Sequence, residues 1–160
     1  TIVTVEDSDI QMPAWVLPQF TTSAELNNAT ESLELANGLM VEADPGAMTA
    51  GEYTESSETI VKSAFVPGSE AGIYMEGNDS EIIGVWYLGN FDFRLNPGWA
   101  ISGAPELGLT EGDSVRAHVA NFGDKEWTLA GSFQVDADGS LVGDENNVGL
   151  VALTTLVLTK

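Results

Sequence analysis

The chain carries little of what covalent catalysis requires. It has no cysteine and a single histidine, His118. A hydroxyl nucleophile needs a base within hydrogen-bond reach and a third group to orient that base. His118 lies in Val115-Arg116-Ala117-His118-Val119, where small apolar residues alternate with Arg116 and His118. Alternation of this kind puts His118 beside Arg116 on the outward face of a strand, a surface or partner-facing position. No G-x-S-x-G elbow is present, so the chain lacks that mounting for a nucleophilic serine. Paired carboxylates hydrolyse glycosides, but with 25 Asp and Glu in the chain pairs arise by chance and single out no position. Asp92, between Phe91 and Phe93, is expected on the solvent side of a strand with both rings on the other side. No catalytic residue is assigned, and no enzymatic activity is expected.

Metal and sugar chemistry have one candidate each. Asp136 to Asn147 (DADGSLVGDENN) places oxygen ligands at alternating positions, with Gly139 available for the bend. That is the chemistry of a calcium loop. Asn147 stands at loop position twelve, where such a loop carries a bidentate glutamate, so the stretch is read as a hairpin turn followed by an acidic loop. No metal ligand is assigned, no cofactor is expected, and calcium is the one ion the sequence leaves open. One histidine and no cysteine disfavour zinc or copper. The four tryptophans could stack on sugar rings. Trp86 and Trp127 lie in apolar runs and are expected in the core, whereas Trp15 and Trp99 neighbour prolines and glycines and form the expected exposed pair. Asn28-Ala29-Thr30 and Asn78-Asp79-Ser80 match the N-glycosylation pattern in polar, turn-like stretches.

The elements that must carry these residues are strands. Apolar residues recur with a period of two rather than 3.6. Thr22 to Ala36 supports either a helical face (Ala24, Leu26, Ala29, Leu33) or a strand at its end. The following Asn37-Gly38 favours a hairpin between Ser32–Ala36 and Leu39–Ala43, because both turn residues tolerate positive φ. Asp44 to Gly51 reads as a turn-rich connection, Glu58 to Val66 as a strand ended by Pro67-Gly68, and Gly72 to Glu76 as a short strand. The nearly continuous Ile82 to Leu88 reads as a central buried strand. Phe91 to Leu95 alternates, Pro97-Gly98 turns, and Trp99 to Ile101 continues. Val115–Val119, then Trp127, Leu129 and Val135, then a hairpin at Asp138-Gly139, lead to a last run over Leu150 to Leu158. Nine to twelve short strands with turn signals every eight to twelve residues define a sandwich or barrel.

Charge bounds the partners. Against 25 acids stand 5 Lys and Arg, for a net charge of −20. That field repels phosphate backbones and anionic membrane surfaces, so nucleic acid is not expected as a partner. No apolar run reaches the ~20 residues of a membrane helix, so no transmembrane segment is expected. The chain begins at Thr1, which is read as the product of export and processing. At 160 residues with 43% hydrophobic content it makes one domain. Residues 1–22, with β-prone Thr1–Glu6 ahead of Pro13 and Pro18, are read as an N-terminal arm or edge strand. Residues 23–160 are read as the β-sandwich.

Three stretches resemble a family. Gly38 to Tyr53 (GLMVEADPGAMTAGEY) looks like the strand, P-x-G-A turn and strand that open certain bacterial cell-surface immunoglobulin-like sandwich domains, distantly similar to those of netrin receptors and ankyrins. Their usual V-P-P-G-A-L stands here as Ala43-Asp44-Pro45-Gly46-Ala47-Met48. Leu107 to Val142 resembles the later half of those domains, with G-L-x-x-G-D-x-V, W-x-x-x-G and V-x-x-D-G in order, and Leu150 to Lys160 looks like their final core strand. The resemblance spans residues 38–160 and implies an all-β, immunoglobulin-like antiparallel β-sandwich at the cell surface or outside the cell. It implies no chemistry. The expected function is a non-catalytic structural or self-assembling surface subunit whose partners are copies of itself or other surface proteins. The alternative is a module that binds carbohydrate or protein. The arm could serve assembly by adding a strand to a neighbour, or it could pair within its own chain.

Overall fold

Period-two alternation becomes antiparallel sheet throughout. A computed structural model describes residues 18–27, 29–52, 54, 59–73, 75, 80–121 and 126–160. Among them lie thirteen strands: β1 (Thr22–Glu25), β2 (Glu31–Glu34), β3 (Leu39–Ala43), β4 (Met48–Ala50), β5 (Ile60–Pro67), β6 (Ile82–Gly89), β7 (Phe93–Trp99), β8 (Ile101–Gly103), β9 (Ser114–Asn121), β10 (Glu126–Val135), β11 (Leu141–Gly143), β12 (Leu150–Leu153) and β13 (Thr155–Thr159). The largest sheet has seven strands in the order β1-β5-β6-β13-β9-β10-β11 and curls into a half-barrel. Two three-stranded sheets, β12-β7-β4 and β2-β3-β8, complete a sandwich-like all-β fold.

The main core lies on the concave side of the large sheet. Trp86, Val115, Ala117, Val119, Phe133, Leu156 and Leu158 face Leu39, Val41, Leu95, Trp99, Leu150 and Leu153 of the smaller sheets. Trp86 is fully buried, its indole N–H donates to the Ala36 carbonyl at 2.6 Å, and its ring lies 4.9 Å from that of Phe65. Ser63, also fully buried, accepts the Ala36 N–H on its hydroxyl at 2.7 Å. One short turn is thus pinned from two strands of the large sheet. That turn is the Asn37-Gly38 hairpin, with φ of 60° and 73° at the two residues, and β2 and β3 pair across it as the sequence indicates.

A second, smaller core lies on the convex side. Val85 and Val157 point outward from the large sheet and are covered by Ala71 and Met75, with Ile73, Tyr87 and Trp127 packed around them. The cover is the segment that follows Pro67, beginning with a 3-10 turn at Gly68–Glu70. Of the expected strand Gly72 to Glu76, the described residues Gly72, Ile73 and Met75 lie in no strand. They form part of this cover instead.

Several local expectations are corrected. Of the two readings of Thr22 to Ala36, strand prevails among the described residues, which contain β1 and β2, and Ala36 opens a 3-10 turn. Within the stretch read as a connection, Met48–Ala50 is a strand paired with β7. Pro97-Gly98 does not turn the chain: β7 runs through it to Trp99. The register against β12 shifts between Leu150 and Ala152, and such an irregularity accommodates a residue that lacks an N–H. The last apolar run is two strands in different sheets. At Thr154, between β12 and β13, the hydroxyl donates to the Ala120 carbonyl at 2.8 Å and the carbonyl accepts the Leu88 N–H at 2.8 Å. The N-terminal segment through Leu17, including Trp15, lies outside the described residues.

Candidate functional site

The residues singled out by chemistry do not converge. His118 lies on the convex face of β9, opposite Leu129 and Val157. Its only hydrogen-bond partner among the described residues is the Thr159 hydroxyl, at 3.5 Å from Nε2. Among the described residues no carboxylate orients it, and no base–orienter pair of a triad is assembled there. Partial burial first, and the Arg116 charge second, hold its pKa below the usual 6.5. The unfolded chain therefore takes up this proton at a higher pH than the folded chain. Stability falls as pH drops from about 6.5 through the lower folded-state value. Replacing His118→Asn is expected to shrink the loss of melting temperature between pH 7.5 and pH 5. Parallel pH profiles for the two proteins would remove His118 as a source of that loss.

Asp92 corrects the expectation of a solvated strand position. It lies in the turn between β6 and β7 with φ of 63° and is 1% exposed, while Phe91 is 45% exposed and Phe93 is buried. The positive φ breaks the period-two phase just before β7 begins. The Asp92 carboxylate lies 3.3 Å from Arg94 Nε, its carbonyl accepts the Gly51 N–H, and its N–H donates to the Leu153 carbonyl. Asp92 is thus a structural pin joining the ends of β4, β7 and β12.

The acidic loop uses its oxygens on itself. Asp136 Oδ1 accepts the backbone N–H groups of Asp138 and Ser140 at 2.9 and 2.8 Å, closing the hairpin at Gly139. Asp144 Oδ1 accepts from the Asn146 backbone and side chain, and the Asn147 amide brackets the backbone of Ser132. Among the described residues no three His, Cys, Asp or Glu side chains gather as a metal site. The tryptophans also separate. Trp86 is core as expected, but Trp99 is 2% exposed with its indole N–H donating to the Asp44 carbonyl at 3.1 Å. Trp127 is only half-buried, on the convex face. With Trp99 inside, the expected stacking pair with Trp15 is not formed. Asn28, Asn78 and Asp79 of the two glycosylation triplets lie outside the described residues.

The feature the sequence did not single out is a groove of about 410 Å³ lined by Pro18, Phe20, Tyr87, Leu88, Phe91, Thr154 and Thr155. Three separate parts of the chain build it. Pro18 and Phe20 lead into β1, where Thr21 N–H donates to the Ser63 carbonyl and fixes the path. Tyr87 and Leu88 end β6, Phe91 follows in the turn, and Thr154 and Thr155 mark the passage from β12 to β13. A Cβ on Gly89 would lie 3.0 Å from the Phe20 ring and 3.5 Å from the Lys62 Cβ. The missing side chain lets the ring lie over the sheet next to the Lys62 stem. Phe20 is 50% exposed. None of the lining side chains is charged, on a chain of net charge −20. Lys62, next to Phe20, makes no ion pair among the described residues, whereas Arg94 and Lys160 pair with Asp92 and Asp113.

The described residues thus form an all-β fold with an apolar groove, and among them no helix is long and apolar enough to cross a membrane. No family model, curated protein or solved structure matches the chain.

Proposed function

We propose that the chain is a non-catalytic, exported cell-surface domain that assembles with copies of itself, built on the plan of the immunoglobulin-like surface sandwiches that residues 38–160 resemble. The observation that carries the reading is the uncharged groove between Phe20, Tyr87 and Phe91. Copies with a net charge of −20 repel one another everywhere except where apolar contact outweighs Coulomb repulsion. An aromatic-rimmed patch without acids is such a place. Salt shortens the Debye length from roughly 30 Å at 0.01 M to about 3 Å at 1 M and removes much of the remaining repulsion. Light scattering of the purified chain is expected to show self-association that grows between these two salt concentrations. A monomer at every salt and protein concentration would overturn the reading.

A further inference from the structure

Resting on that reading, we propose that the groove is the seat of the N-terminal segment, residues 1–17, of a second copy of this chain. Three observations lead there. The first is position: the described chain begins at Pro18, which is itself a wall of the groove. Seventeen residues precede that wall, and at roughly 3.3 Å per extended residue they span about 56 Å, ample to reach a neighbouring molecule.

The second is chemistry. The segment TIVTVEDSDIQMPAWVL supplies Ile2, Val3, Val5, Ile10, Met12, Trp15, Val16 and Leu17 for an apolar groove. It also carries Glu6, Asp7 and Asp9 and no Lys or Arg. The stem of Lys62, one of only 5 Lys and Arg in the chain, lies beside the Phe20 ring over Gly89. The acidic segment and this neighbouring lysine are complementary in sign, while the acid-rich remainder of the surface is not.

The third is direction. Backbone pairing from Thr21 through Glu25 with β5 fixes how the chain leaves the groove wall. A segment seated in its own groove would saturate each molecule and abolish assembly through this contact. A segment seated in a second copy instead links molecules, which is the outcome the test reads. Each molecule gives a segment and receives one, so the contact closes as a reciprocal twofold dimer or a larger ring, or runs on as an open chain.

The test uses two full-length variants and mixes them. F91D places a charge in the groove at an exposed position, and V3D/V5D does the same in the segment. Unchanged thermal melts would show that both fold, and F20D serves as a second groove variant should F91D melt early. Each variant alone is expected to be monomeric under the salt conditions in which the native chain assembles. Their mixture is expected to form a one-to-one dimer and nothing larger, because the native groove of one receives the native segment of the other. A mixture that stays monomeric, or variants that assemble as the native chain does, would overturn the proposal while leaving self-assembly through another surface standing. A native chain that is monomeric at all salt concentrations would instead remove the assembly reading beneath it.

Discussion

Replacing Trp86 by alanine is expected to lower the stability of the domain by roughly 3–5 kcal/mol, the range for emptying a buried aromatic site. The ring is wholly buried at the centre of the main core and packs against Phe65. Its removal also strands the Ala36 carbonyl, which accepts the indole N–H at 2.6 Å. An unsatisfied buried carbonyl costs about 1–3 kcal/mol, part of which a water entering the cavity restores. A small domain has only about 5–15 kcal/mol in total, so the variant stands near the unfolding threshold. The companion Trp86→Phe keeps much of the volume and loses the hydrogen bond. Urea titration of the two variants separates packing from hydrogen bonding. Equal losses would place the cost in the Ala36 contact, and a much larger loss for alanine would place it in the cavity. A loss below about 1 kcal/mol for alanine would contradict the position of this ring in the core.

The second large effect is expected at Gly68, where the backbone approaches too closely for any side chain. A Cβ there would lie 1.9 Å from the Ile82 carbonyl oxygen and 2.5 Å from its carbon. Both obstructing atoms are main chain and belong to β6, so no rotamer change relieves the clash. The Gly68–Glu70 turn would have to lift off the sheet, carrying with it Ala71 and Met75, the lid of the convex core. Overpacking costs about 1–3 kcal/mol when neighbours can shift, and more when they cannot. Gly68→Ala is therefore expected to lose at least about 2 kcal/mol in denaturant unfolding and to speed hydrogen exchange in β6 and β13. Glu70→Ala, on the exposed side of the same turn, serves as the comparison and is expected to change stability by less than about 0.5 kcal/mol. Similar stability of the two variants would show that the turn moves freely.

These two positions mark what the sequence shows and what it hides. Trp86 announces its burial through Ile82–Leu88, a nearly continuous apolar run of the kind that a strand covered on both faces sustains. The Asn37-Gly38 hairpin is equally legible, because the turn chemistry is local. The strand ending at Pro67-Gly68 is legible too, but the reason for glycine at 68 is not, since Ile82 is fourteen residues away in sequence. Asp92 and Trp99 show how local reading misleads. Alternation carried unbroken through Phe91–Leu95 puts Asp92 in solvent, and one positive φ reverses that. Pro97-Gly98 carries a turn signature, yet the bulged pairing of β7 with β12 absorbs it and delivers Trp99 to the core. The groove is the least legible feature. Its walls come from positions 18–20, 87–91 and 154–155, and no window of sequence contains them together.

The position of β13 sets a clock on folding. This strand is fourth of seven in the large sheet, flanked by β6 on one side and β9 on the other, yet it is supplied by Thr155–Thr159. Until those residues leave the ribosome, β1-β5-β6 and β9-β10-β11 are two separate ribbons with exposed edges and no strand between them. Pairing of β13 with β6 joins residues about seventy positions apart, and closing such contacts is slow. The chain therefore stays open throughout its synthesis and for some time after. Two open sheet edges wait for the same short strand, and β13 acts as the bolt that shuts the sheet when it slides between β6 and β9.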